Sequence, residues 1–145
     1  MLPAVVACVI TVLLCVYVHL TVLRTLNDYV LPRFQRHSRT AVGTMVVVSL
    51  FGHLLEIWLF SIAILVVGSM SSSQFAEELQ LDGFDAFYYS AVSYTSMGAE
   101  PLHESSLRIL TAIEALTGLI LITWTASFIF LVMQQTWEAR RSGHH

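Results

Sequence analysis

Three stretches of this chain, 3–23, 41–68 and 107–133, are apolar almost without interruption. A helix that crosses the hydrocarbon of a bilayer needs about 20 such residues at a rise of about 1.5 Å each. Each stretch therefore predicts one transmembrane helix. The linkers between them have opposite character. Linker 24–40 holds Arg24, Arg33, Arg36 and Arg39 with Asp28 as its only acid, and Pro32 breaks the helical pattern inside it. Linker 69–106 holds neither Lys nor Arg and carries Glu77, Glu78, Asp82, Asp85, Glu100 and Glu104. Basic residues collect on the cytoplasmic side, so the first linker is expected inside and the second outside. The N-terminus is then outside, and the tail with Arg140 and Arg141 is inside.

The second linker changes character halfway. Ser71, Ser72 and Ser73 are polar, whereas 84–97 is aromatic and apolar yet too short to span, the pattern of a re-entrant segment. Asp82, Gly83 and Asp85 supply capping chemistry for a helix beginning near Phe84. Gly98 and Pro101 predict where it stops, since Gly frees the backbone and Pro removes a donor. The product is a half-helix. Irregular backbone at membrane depth survives only when buried in protein or lining a water-filled path, so the residues after this helix are expected to line a cavity.

Composition narrows the function. Of 145 residues, 56% are hydrophobic and 12% charged, with a mean hydropathy of +0.71, which excludes a soluble domain with a polar shell. The 7 basic residues, all Arg, face 10 acidic ones for a net charge of -3, and nothing in that balance recommends nucleic acid. No nucleophile with a base, phosphate loop or full metal-ligand set stands out, so an enzyme is not expected. The loops are too short for a separate catalytic unit, and a larger function needs several copies of the chain. Cys8 and Cys15, seven apart, share one helical face and read as small packing residues rather than a disulfide or metal pair. The segment before Cys8 lacks the basic flank of a lipoprotein signal. The closing Gly143-His144-His145 reads like the start of a purification tag and carries no functional weight.

The order span, half-helix, Thr95-Ser96-Met97-Gly98, span is that of the pore module of tetrameric potassium channels. The stretch 87–98 resembles their pore helix and filter, in which two hydroxyl residues, an apolar residue and a Gly lead into an aromatic, a second Gly and an Asp. The runs His53-Leu54-Leu55-Glu56-Ile57-Trp58-Leu59-Phe60 and Leu107-Arg108 through Glu114-Ala115-Leu116-Thr117-Gly118 resemble small bacterial ion channel family proteins of this superfamily. The resemblance covers 41–137. It implies an all-α integral membrane subunit with three transmembrane helices, a re-entrant pore helix and a filter loop. It further implies a homotetramer in the lipid bilayer, of the bacterial inner membrane. The corresponding division is 1–40 as a peripheral first helix with its basic linker, 41–137 as the pore module and 138–145 as a cytoplasmic tail.

The departures concern selectivity. Potassium-selective relatives continue Gly-Tyr/Phe-Gly-Asp, whereas here Gly98 is followed by Ala99, Glu100 and Pro101. Ala99 cannot fill the space of the aromatic. Glu100 adopts the second Gly's left-handed backbone only at a cost. With fewer carbonyl rings, selectivity for potassium should weaken. Nonselective cyclic-nucleotide-gated channels, whose filter runs Gly-Glu-Thr-Pro, resemble the chain more closely at this point, though no nucleotide-binding domain is expected after Trp137. Two other readings stay open: a non-conducting scaffold or regulatory subunit with a collapsed filter, and a potassium channel that uses only its inner sites.

On the leading reading the filter is Thr95, Ser96, Met97, Gly98, Ala99 and Glu100, passing potassium, sodium and, at a Glu100 ring, a divalent ion such as calcium. No cofactor is expected beyond these permeant ions, and the sequence names no regulatory partner. Glu56 and Glu114 lie inside spans, where an unpaired acid costs about 2.5 to 3.5 kcal/mol, so both need partners. Glu114 is expected to bond Tyr94, Ser93 or backbone behind the filter, making Tyr94 and Glu114 filter supports. His53 and Glu56, at i and i+3, can pair with each other, while Arg108 sits at the wrong depth for Glu56. His53-x-x-Glu56 has the form of a metal-binding pair, but no second such motif completes it, so no metal site is expected. Gly118, mid-span, marks either close helix contact or a gating hinge, and with Ile122, Thr125 and Ile129 it forms a stripe read as the cavity wall and gate. Trp58, Trp124 and Trp137 read as packing or interface residues. The first span has no counterpart in a minimal pore and reads as a peripheral brace. His19, His37 and His103 read as ordinary surface or core residues.

Overall fold

The computed structural model describes residues 2–30, 32, 38–70, 83–98 and 105–142. Among these all regular structure is helical. Helix α1 is Leu2–Thr25, continued by a π-helical turn at Leu26–Val30; α2 is Ser38–Met70, α3 is Gly83–Tyr94 and α4 is Ser105–Ser142. Three of them contain segments long and apolar enough to cross a membrane: Ala4–Tyr29, Thr40–Met70 and Ser105–Gln135. Each outruns the stretch its sequence predicts. At the end of α1 the reason is packing, because Leu23 and Leu26 are buried with Met45 of α2 and Val132 of α4, so the contact face continues past Arg24. The other end of the bundle packs Ala4 and Cys8 with Ala63, Ile64 and Val67 of α2 and with Leu107 and Leu110 of α4. α1 and α4 therefore run in the same direction, and α2 runs against both.

Hydrophobicity does not distinguish the inside of this bundle from its outside. On α1 and the turn after it the exposed positions include Val5, Val9, Leu13 and Tyr17, while the buried ones are Ala4, Cys8, Thr11, Cys15, His19, Leu23 and Leu26. The spacing of the buried set is helical. Its members toward Ala4 are the small or polar ones, as expected where lipid replaces water and helices associate through close approach and hydrogen bonds. Ser49, Glu56, Ser61, Ser90, Ser93, Glu114, Thr117 and Thr125 extend the same polar interior. Hydroxyls elsewhere are satisfied within their own helix: Thr21 donates to the Tyr17 carbonyl at 2.8 Å and Thr123 to that of Leu119 at 2.6 Å.

Helix α3 has 12 residues, about 18 Å of helix, too short to cross. It packs on α2 and α4, and its last residue, Tyr94, is buried against the middle of both. Gly118 of α4 makes this possible, since a Cβ there would lie 2.2 Å from the Tyr94 carbonyl oxygen. Gly118 is thus a point of close helix packing.

Replacing Gly118 by Ala should therefore destabilise the protein by about 1–3 kcal/mol or more, read as a lower midpoint of unfolding in detergent. Gly43→Ala and Gly68→Ala, where nothing lies within 4 Å of an added Cβ, should be neutral or stabilising.

Candidate functional site

The segment expected to form the filter begins as the cap of α3. The amide of Met97 donates to the Val92 carbonyl at 3.0 Å and that of Ser96 to the Ser93 carbonyl at 2.9 Å, the paired bonds of a Schellman ending. Ser96 occupies its left-handed position with φ 56°, where Gly is the usual residue. Gly98 follows at φ 87°. The helix therefore ends at Tyr94, four residues before Gly98, and a serine instead of the glycine takes its left-handed cap position. The Thr95 hydroxyl donates to the Ala91 carbonyl at 2.7 Å. Thr95, Ser96, Met97 and Gly98 are all exposed in the single chain. Ala99 and Glu100 lie outside the described residues.

Behind this cap, both membrane acids reach for α3. Ser90, completely buried, hydrogen-bonds Glu114 of α4 and donates to the Ile57 carbonyl of α2 at 2.8 Å. One hydroxyl hydrogen cannot serve two acceptors. The pair closes when Glu114 carries its own proton and donates to Ser90 Oγ, which also removes a bare charge from the bundle. The expected partner of Glu114 was Tyr94, Ser93 or backbone. Its bond falls instead one turn before Tyr94, because the Tyr94 side chain turns the other way, toward α2.

There the Tyr94 hydroxyl donates to Oε2 of Glu56. His53 Nδ1 lies 3.0 Å from the same oxygen and 3.0 Å from the Tyr94 oxygen, so the sequence pairing of His53 with Glu56 holds. Two participants were not foreseen. His19 of α1 places Nδ1 3.0 Å from Oε1 of Glu56, and Thr125 of α4 lies 3.1 Å from His53 Nε2 and 3.5 Å from His19 Nε2. Cys15 adds a thiol contact of 3.8 Å to the Glu56 carbonyl. One ligand atom from each of His19, His53 and Glu56 lies within 4.8 Å of the others, a group able to hold a metal ion. All four helices meet at this cluster.

Thr125 therefore leaves the expected cavity stripe. Of its other members, Gly118 is buried under Tyr94, Ile122 is exposed and Ile129 is half-buried, so the four residues do not share one environment. His19 was recoverable from one signal: a titratable residue deep in an apolar span demands a partner, and Glu56 had room for a second.

A family model described as "Ion channel" matches residues 52–135, more than half of the chain, running through α2, α3 and most of α4. Comparison with curated proteins and with solved structures gives no significant match. The matched region contains both acids, the helix they hold and the capped segment after it. The chain belongs to the ion channel family of two-span, potassium-channel-like pore modules, and is an integral membrane protein and not an enzyme.

Proposed function

We propose that four copies of this chain surround an axis to form a cation channel whose filter is weakly selective or nonselective. The observation that carries this reading is the half-helix. A segment of 12 residues is fixed at the middle of two spans by bonds to buried acids, and the chain leaves its C-terminal end exposed. One such segment cannot enclose a path. Its carbonyl end carries partial negative charge, and four of them aimed at one axis favour a cation. The left-handed backbone of Ser96 and Gly98, with Met97 between them outside that region, supports a loop that turns its carbonyls toward one side. Phe84 and Tyr88 form an exposed aromatic pair one turn apart on α3, suited to a neighbouring subunit.

In this assembly α3 is the re-entrant pore helix and Thr95 to Glu100 is the filter, with Tyr94 and Glu114 as its supports. The ions are potassium, sodium and, through the Glu100 ring, calcium. The lost aromatic and second glycine at Ala99 and Glu100 remove outer carbonyl sites, on whose number potassium selectivity depends. The arginine-rich linker and tail orient the subunit with its N-terminus outside and C-terminus in the cytoplasm, in a bacterial inner membrane.

Purified protein in a planar bilayer, with potassium on one side and sodium on the other, should reverse near zero. Reversal near the potassium potential would mean that inner sites suffice for selectivity. Glu100→Gln should lower cation conductance at low salt, and the difference should vanish near 1 M salt, where the screening length is about 3 Å. At the support, Glu114→Gln should preserve conduction, while Ser90→Ala should cost about 1–3 kcal/mol by leaving the acid unpartnered, measured by unfolding in detergent.

A further inference from the structure

The cluster around Glu56 is a closed ring. Carboxylate Oε1 meets His19 Nδ1, His19 Nε2 meets Thr125 Oγ1, Thr125 Oγ1 meets His53 Nε2, and His53 Nδ1 returns to Oε2. These four links need four hydrogens. Two neutral imidazoles supply one each and the threonine hydroxyl a third, while an ionised carboxylate supplies none. The three fill the links of 3.0 to 3.1 Å, and the 3.5 Å approach of His19 Nε2 to Thr125 is left without one. The interior also holds a carboxylate without a countercharge, which the hydrocarbon penalises. Both deficits are removed by one added cation on the Nδ1 side.

We propose that His19, His53 and Glu56 bind a divalent transition ion of the zinc class within the membrane, with the Tyr94 oxygen in the fourth position. The donor set decides the class, because two imidazoles and a carboxylate suit zinc-like ions, whereas calcium and magnesium take oxygen shells. Spacing agrees. Ligands about 2.0–2.2 Å from a tetrahedral ion sit about 3.3 Å apart, and the two Nδ1 atoms lie 3.0 Å from the two carboxylate oxygens, His19 from Oε1 and His53 from Oε2. Coordination through both Nδ1 atoms moves each ring hydrogen to Nε2. Both then point at Thr125 Oγ1, which has two lone pairs to receive them, the outer-shell support that orients metal-bound histidines. Tyr94 is 3.0 Å from His53 Nδ1 and bonded to Glu56. The ion thereby ties the first helix to Tyr94, the residue before the proposed filter. His19 is the third ligand that the pair His53-x-x-Glu56 lacks within its own helix.

The test uses the chain without Gly143, His144 and His145, so that the terminal histidines cannot bind metal. Protein purified in detergent and stripped with chelator is titrated with cobalt(II), whose visible bands report tetrahedral coordination, and then with zinc as competitor. We expect one cobalt per chain with tetrahedral bands, displaced by zinc. His19→Ala should lose them, against a constant background from His37 and His103. Thr125→Val should weaken binding about 10–100-fold. His19→Cys should keep the site and add a thiolate-to-cobalt charge-transfer band, a gain that misfolding cannot imitate. Absence of tetrahedral bands in folded wild-type protein, or bands unchanged in His19→Ala, would overturn the proposal. A bound proton would then be what completes the ring.

Discussion

Two carboxylates inside an apolar bundle must find hydrogen-bond partners, and both find them on the same short helix. Ser90 and Tyr94 are four residues apart and so one turn apart along α3. Ser90 bonds Glu114 of α4 and Tyr94 bonds Glu56 of α2. Each acid left alone would cost about 2.5 to 3.5 kcal/mol in the middle of a span. That penalty becomes the force that fixes α3, which has no room to cross the bilayer and no interface with water along its buried face. The fixing is bilateral, and this determines where the chain after Tyr94 begins.

The remaining features follow from that anchoring. With α3 held between α2 and α4, the Tyr94 carbonyl falls on α4 where only a glycine fits. The helix ends there, and its carbonyls at Val92 and Ser93 accept from the amides of Met97 and Ser96 in the cap rather than from water. α1 is drawn in by the same chemistry: His19 reaches Oε1, the Glu56 oxygen that α3 does not use. The first helix is thus bonded to the same carboxylate that holds Tyr94.

Much of this was legible in the chain. Three spans, the short apolar segment, the pairing of His53 with Glu56 and the need of Glu114 for a partner all follow from hydropathy and the cost of buried charge. What was not legible depends on rotation about helix axes. Thr125 shares a stripe with Gly118, Ile122 and Ile129 in sequence, yet faces inward to two histidines, because a transmembrane helix apolar on every side gives no periodic signal of its inner face. His19 was hidden for the same reason. The cap at Ser96 escaped notice because sequence favours glycine for a left-handed ending, and Gly98 lay two residues on.

The anchoring is tested most directly by a double-mutant cycle between Glu56→Met and Tyr94→Phe, both close in volume to the residues they replace, measured by reversible unfolding in detergent. If the acid holds the half-helix through this bond, the two changes should couple by about 1.5–3 kcal/mol, the range for hydrogen bonds to a charged group. Losses that add within about 0.5 kcal/mol would contradict it, and would mean that α3 is held by packing alone.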